Sequence, residues 1–239
     1  MGRRFGGLVA VNSVTLAVAT GERRAILGPN GAGKTTLFNV IAGEYKPTTG
    51  HVLFLDEDVT RLPPRKRARR GLTRTYQTAL LFPGLSILDN LYLALRGVSP
   101  RRMSMLRPRR DDRFLARGRE IATQVGLETG LDRKVGELSH GEQRQLELGM
   151  ALAGNPRLLM LDEPAAGLSP AERGTLVQLL LKLHPSITVL LIEHDMDVAF
   201  AIAQRVMVMH EGRVIAEGTP DEIRANQTVQ DVYLGERGA

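Results

Sequence analysis

The sequence predicts an α/β fold in which helices cover a mainly parallel sheet. Three observations carry that prediction. Short apolar strands alternate with helical stretches, a glycine-rich turn joins one strand to the helix after it, and a second strand ends in the acid pair Asp162 and Glu163. Strands joined through helices run parallel, because the crossover returns the chain to the same end of the sheet.

The elements follow in order. "RRAILG" (Arg23 to Gly28) reads as a buried strand entering the turn, and "KTTLFNVIAG" as a helix closed by Gly43. "HVLFLDEDV" reads as a further strand. From about Leu85 to Ala153 the pattern is mainly helical. Inside that region, Ser139 and Glu142 of "LSHGEQRQLELGMALAGNP" have capping-box spacing and mark a helix start. Gly141 sits within its first turn, where glycine adds nothing to helix stability, so something is expected to come close there. "RLLMLDEP" and "SITVLLIEHD" are apolar strands on either side of the helix "PAERGTLVQLLLKLH". "RVMVMHEGRVIAEG" is a hairpin turning at "HEG", and two short helical segments follow it. No internal repeat or Gly/Ser-rich linker divides the chain, so a single composite domain is the economical reading.

A length of 239 residues provides ample core, and 43% apolar with 24% charged residues is the balance of an ordinary globular chain. The absence of cysteine excludes disulfides and thiolate metal sites, and fits a reducing compartment. No run approaches the roughly 18 apolar residues of a membrane span. The N-terminal stretch lacks the apolar core of a signal peptide. The expectation is a cytosolic chain that meets a membrane through a partner or a surface. Its net charge of +6 is localised: residues 61–74 and 96–119 hold 16 of the 32 Lys and Arg but 2 of the 26 acids, leaving 16 cations against 24 acids elsewhere. Such basic surfaces suit nucleic acid, anionic lipid or an acidic protein face, and are equally the solvated faces of helices. Few aromatics interleave with the arginines, which argues against a base-stacking platform.

"GPNGAGKT" fits the phosphate-binding pattern G-x-x-x-x-G-K-[ST] and lies between a strand and a helix, as that mechanism requires. Gly28, Pro29, Asn30, Gly31, Ala32 and Gly33 form the expected phosphate-binding loop, whose glycines let backbone N–H groups turn inward around the phosphates. Lys34 would reach the β- and γ-phosphates, Thr35 would ligate Mg²⁺, and Thr36 stands beside it at the helix start. Asp162 can hold Mg²⁺ through its water shell, and Glu163 is the natural general base for an attacking water. His194, just past the strand of "IEHD", should open onto the same sheet edge, where it could donate to the γ-phosphate or to that water. Gln77, in "TRTYQTALLFPGLS", lies between the sheet region and the helical region and is weak evidence by itself.

Taken in order, "GPNGAGKT", "LSHGEQ", "LMLDEP" and "EHD" resemble the ATP-binding cassette (ABC) ATPases over nearly the whole chain. The family signature, usually LSGGQ, reads "LSHGE" here with Gln143 following. The resemblance implies a P-loop NTPase with a mainly parallel core sheet, a small antiparallel β-subdomain and an inserted helical subdomain at roughly 78–153, all in one domain of residues 1–239. It implies ATP and Mg²⁺ as cofactors, and two such domains, identical or different, clamped head to tail around two ATP molecules. It assigns Gln77 to Mg²⁺ sensing and coupling, His194 to the γ-phosphate, and Phe5 to stacking on adenine. Ser139 and Gly141 would contact the γ-phosphate held by the opposite subunit, although Ser139 also serves as a plain helix cap. In the family a complete strand precedes the aromatic; this chain starts almost at Phe5, so that strand is expected to be missing. After Glu163, "AAGLS" departs from relatives that have Ser at the position of Ala166 and Asp at that of Ser169.

"RTYQTALLFPGLSILDNL", "DEPAAGLSPAE", "IEHDMDVAF" and "VYLGE" are similar to the ATPases of branched-chain amino acid importers and their amide and urea relatives. Lipopolysaccharide-export ATPases share part of this pattern. The resemblance implies a cytoplasmic subunit, peripheral on the inner face of the membrane, that drives uptake of branched-chain or hydrophobic amino acids through separate permease subunits. A solute-binding protein would be an indirect partner, and Leu80, Leu81 and Phe82 would transmit closure to the permease. A soluble cassette acting on nucleic acid is the rival of another class. Such proteins carry two cassettes or long coiled insertions, and neither is present, so nucleic acid is not expected as a partner.

Overall fold

Two small antiparallel ribbons accompany one larger sheet. The computed structural model describes residues 1–75, 81–99 and 112–236, with side chains through residue 233. The first ribbon pairs β1 (Arg3–Phe5) with β2 (Leu8–Val11). After β3 (Arg23–Leu27) and α1 (Lys34–Ala42), the second pairs β4 (Leu53–Phe54) with β5 (Glu57–Asp58). Helix α2 (Pro64–Ala68) then leads into β6 (Leu72–Arg74). The helices α3 (Ile87–Val98), α4 (Asp112–Gln124) and α5 (His140–Leu152) precede β7 (Leu158–Asp162). The chain continues through α6 (Pro170–Leu181), β8 (Thr188–Ile192), α7 (Met196–Ile202), the hairpin β9 (Arg205–His210) and β10 (Arg213–Gly218), α8 (Pro220–Arg224) and α9 (Gln227–Glu236).

The larger sheet has the order β10-β9-β3-β8-β7-β6, with only β10 antiparallel to its neighbour. Strands β7 and β8 are buried at every position. Cover on both faces explains why they read as unbroken apolar runs and not as alternating ones. The chain divides into two compact units. One, built on the sheet, comprises Met1–Arg74, Arg157–Pro164 and His184–Ala239; the other, helical, comprises Thr75–Pro156 and Ala165–Leu183. In the sheet unit Leu37 and Phe38 of α1 pack with Ile26, Met160, Ile192 and Met207. In the helical unit Leu88, Tyr92 and Leu115 join α3 to α4. Among the described residues, no helix is long and apolar enough to cross a membrane.

One expectation needs correction. "HVLFLDEDV" is the β4–β5 ribbon and not one strand, because Leu55 and Asp56 both take left-handed backbone (φ 52° and 63°) and reverse the chain as a two-residue turn. Phe5 is itself the last residue of the three-residue β1, which pairs with β2. Ahead of it the Met1 ammonium donates to Val14 O, and Gly2 bridges to Thr49.

One buried cation fixes the far end of α1. Arg67, only 1% exposed, donates Nη1 to Val40 O (2.8 Å) and Ile41 O (2.6 Å), Nε to Leu62 O (2.9 Å) and Nη2 to Thr60 O (3.0 Å). Val40 and Ile41 belong to the last turn, where Val40 O also accepts from the C-cap Gly43 N–H at 3.2 Å. Burial lowers the guanidinium pKa and the charge of Asp58 opposes that shift. Arg67→Ala removes four donations to backbone carbonyls and should cost about 2–4 kcal/mol in urea denaturation. Arg67→Lys, without the planar fork, should recover only part of that loss.

Candidate functional site

The parallel register brings three motifs to one edge of the sheet. Ile26 of β3 pairs with Ile192 of β8, and Ile192 pairs with Asp162 of β7. Gly28, Glu163 and His194 therefore leave the sheet at the carboxyl ends of neighbouring strands, where α/β proteins bind ligands.

The loop from Gly28 to Gly33 is held against backbone on two sides. Gly28 (φ 146°) and Gly33 (φ 96°) have no room for a side chain: a Cβ on Gly28 would collide with Met209 O of β9, and one on Gly33 with Ala10 O of β2. Pro29 and Ala32 are buried, whereas Asn30, Gly31 and Thr35 are exposed and Thr36 is half-buried. Lys34 is buried and donates Nζ to Gly28 O (2.5 Å) and Pro29 O (2.8 Å). Helix α1 then starts with no side-chain cap and no acid in its first turn. By contrast α3, α5, α6, α7 and α8 are capped by Ser86, Ser139, Ser169, Asp195 and Thr219. The start of α1 thus offers backbone N–H groups and the positive end of a helix dipole to an anion.

The acid side of this edge is equally ordered. The side chain of Asp162 is 1% exposed; its Oδ2 accepts from Arg74 Nη2 at 2.7 Å, and its Oδ1 accepts no hydrogen bond among the described residues. Glu163 adopts left-handed backbone (φ 50°) and donates its N–H to Ile192 O at 3.0 Å. Such backbone in a non-glycine residue is strained and persists only where its surroundings hold it. It carries Glu163 Oε1 to 2.6 Å from His194 Nε2. The exposed Thr35 hydroxyl and the unpartnered Asp162 Oδ1 suit Mg²⁺, which keeps several waters and shares its shell with phosphates. Among the described residues no group of three or more His, Cys, Asp or Glu could hold a metal ion on its own.

Phe5 closes β1 and is 38% exposed, with its ring edge-on to Tyr45 at 5.4 Å and the Arg3 guanidinium carbon 4.4 Å from its centre. Tyr45 had no sequence signal, being a lone aromatic past the end of α1. Gln77 and Leu80 lie outside the described residues. Phe82 is half exposed, its backbone held by the buried Asn90 through Phe82 N to Oδ1 (2.9 Å) and Nδ2 to Phe82 O (3.2 Å).

In the helical unit the capping box of α5 is complete: Ser139 Oγ accepts from Glu142 N (3.2 Å) and Glu142 Oε2 from Ser139 N (2.8 Å). Arg133 grips the same carboxylate with two bonds and lowers its pKa. The group close to Gly141 is the carboxylate of Glu172. Gly141 N–H donates to Glu172 Oε1 at 2.9 Å, and a Cβ on Gly141 would lie 2.6–2.8 Å from Oε1, Cγ and Cδ. Glu172 also caps α6 through Ser169 N (2.9 Å) and Ser169 Oγ (2.7 Å). These donors hold its carboxyl down to about 2 from an ordinary 4.5. A depressed folded-state pKa stabilises the fold above the unfolded value and loses that contribution as pH falls through the folded one. The parental chain should therefore lose more stability than Glu172→Gln as pH drops from about 4.5 to about 2, measured by urea denaturation at each end of the window.

Residues 11–166 match the ABC transporter family, and residues 213–239 match the branched-chain amino acid ATP-binding cassette transporter family. Over 241 residues the chain is 41% identical to the high-affinity branched-chain amino acid transport ATP-binding protein LivG of Escherichia coli (strain K12), covering 98% of this chain and 94% of LivG. It is 35% identical over 237 residues to the lipopolysaccharide export system ATP-binding protein LptB of the same organism, covering 99% and 95%. Among solved structures, the ADP conformation of MJ1267, an ATP-binding cassette of an ABC transporter, aligns with a TM-score of 0.87 at 32% identity, covering 98% of this chain and 96% of that one. The dimeric cassette MJ0796 bound to ADP and Pi aligns at 0.76 and 27% identity, covering 92% and 95%. With family matches over residues 11–166 and 213–239 and 41% identity to LivG across 98% of its length, the chain belongs to the ABC transporter family and resembles its branched-chain amino acid branch.

Proposed function

We propose that the chain is the Mg²⁺-dependent, ATP-hydrolysing subunit of an importer for branched-chain or other hydrophobic amino acids. The observation that carries the reading is the single row of strand ends bearing Gly28, Asp162–Glu163 and His194. The uncapped start of α1 receives the phosphates on its N–H groups and those of the loop before it. Lys34 exchanges its two loop carbonyls for β- and γ-phosphate oxygens. The Thr35 hydroxyl and, through water, Asp162 hold Mg²⁺, which when bound offsets the charge developing on the phosphates. Glu163 takes the proton of the attacking water. His194, already at the Glu163 carboxylate, orients that base and turns a ring N–H to the γ-phosphate. Phe5 stacks on adenine, and Gln77 links the metal to the permease-facing region.

The capped start of α5 completes the site in a second cassette subunit, identical or different. There Ser139 and Gly141 meet the γ-phosphate bound by the other copy, and the Glu172 carboxylate yields the Gly141 N–H to it. The dimeric MJ0796 cassette supports pairing of this kind. Residues 1–239 act as one cassette, its helical part at roughly 78–153 and Phe82 facing separate permease subunits at the inner face of the membrane. A solute-binding protein acts at one remove. Amino acid uptake is favoured over lipopolysaccharide export by the match of residues 213–239 and by the higher identity to LivG than to LptB.

Glu163→Gln should lower ATP turnover by at least about 10²-fold, the usual contribution of a general base, while ATP affinity is kept. Turnover at the parental rate would remove Glu163 from that role. Reconstituted with its permease, the parental chain should drive uptake of labelled leucine into vesicles, and Glu163→Gln should not.

A further inference from the structure

Arg74 stands apart from the basic run in which the sequence hides it. Arg61, Arg65, Lys66, Arg69 and Arg70 are exposed, and Arg67 closes α1. Arg74 ends β6 opposite Met160 of β7, and its side chain is only 8% exposed. Its Nη2 donates to Asp162 Oδ2 at 2.7 Å and its Nη1 to Asn39 Oδ1 of α1 at 2.5 Å, with the guanidinium carbon 5.8 Å from the Phe38 ring centre. One cation thus ties β6, β7 and the phosphate-loop helix together. A carboxylate as buried as Asp162 is costly without a counter-charge, and an arginine supplies one that does not titrate away.

We propose that Arg74 is a positioning residue that sets the Mg²⁺ affinity of the site. Its charge neutralises Asp162 while the metal is away, and it weakens metal binding once the metal arrives. The inference rests on the reading of Asp162 as a Mg²⁺-holding group. Two cations would then share one carboxylate, Arg74 on Oδ2 and the hydrated metal on Oδ1. Their mutual repulsion acts at short range among buried groups, where salt screens little. The fork between Asn39 and Asp162 also fixes the carboxylate, so Oδ1 stays available without reorganisation. The functional consequence is a metal–nucleotide complex held less tightly than Asp162 alone would hold it, which favours release after turnover.

The test compares affinity for a non-hydrolysable ATP analogue with Mg²⁺ and with a chelator, by calorimetry, alongside melting temperatures. The Mg²⁺-dependent gain in affinity should rise about tenfold or more in Arg74→Met, where one opposing charge is gone, and stay within about twofold in Arg74→Lys. Arg74→Met should also melt below the parental chain in chelator, with the gap narrowing when Mg²⁺ and analogue are added. A role in packing alone would lower stability equally in both conditions and leave the gain unchanged, and that result overturns the proposal. Asp162→Asn separates the two levels. If it abolishes the gain while Arg74→Met leaves it unaltered, the metal reading stands and the role of Arg74 falls. If Asp162→Asn keeps the full gain, both fall. Should Arg74→Met not fold, Arg74→Gln removes the same charge while keeping an amide donor, and it must raise the gain likewise.

Discussion

The phosphate loop is pinched between two backbone carbonyls, Met209 O of β9 and Ala10 O of β2, and the rest of the sheet unit follows from that fit. Gly28 and Gly33 stand at the pinch points, since any Cβ there would overlap a strand. The hairpin turn between β9 and β10 closes the clamp from a third side: Gly212 N–H donates to Ala32 O at 3.0 Å, and Gly212 O accepts from Asn12 N at 2.8 Å. Within the loop Ala32 N–H donates back to Pro29 O at 3.2 Å. Helix α1 leaves it without a cap, with Arg67 closing the opposite end, so the helix is positioned at both termini by groups outside it.

The chemistry-bearing groups share a second property: each already has a partner within its own unit. Lys34 holds loop carbonyls, Asp162 holds Arg74, Glu163 lies on His194, and Gly141 N–H holds Glu172. On the proposed reading ATP exchanges partners at Lys34 and Gly141, whereas Asp162 Oδ1 and the uncapped start of α1 take new ones. The resident partners keep the cost of burying Lys34 and Asp162 low before binding. The two helix starts divide the work. Among the described residues no side chain caps the start of α1 and its first turn holds no acid, whereas α5 carries the Ser139–Glu142 box and the Glu172 carboxylate.

What could be read from the sequence was local in the chain. The glycine-rich turn between strand and helix, the acid pair at the end of β7, the Ser139 capping box and the Gly43 helix end all depend on residues a few positions apart, and the structure places each where the sequence puts it. Partners far apart in sequence left no such trace. Arg74 and Asp162 are 88 residues apart, and Gly141 and Glu172 are 31 apart, so neither pair could be inferred from spacing. Gly141 was read as a point of close approach. The structure supplies an approaching group from within the chain, the Glu172 carboxylate, where the sequence had suggested only an incoming phosphate. The two-residue strands of the β4–β5 ribbon were too short to show an alternating pattern, and merged into one apparent strand.

The most direct measurement is amide hydrogen exchange across the chain with and without ATP and Mg²⁺. A nucleotide seated on the uncapped start of α1 predicts that the amides of Gly31 to Thr36 gain the largest protection, and that Lys34→Ala abolishes it. Unchanged exchange at those amides under saturating ATP would contradict a phosphate site at the head of α1.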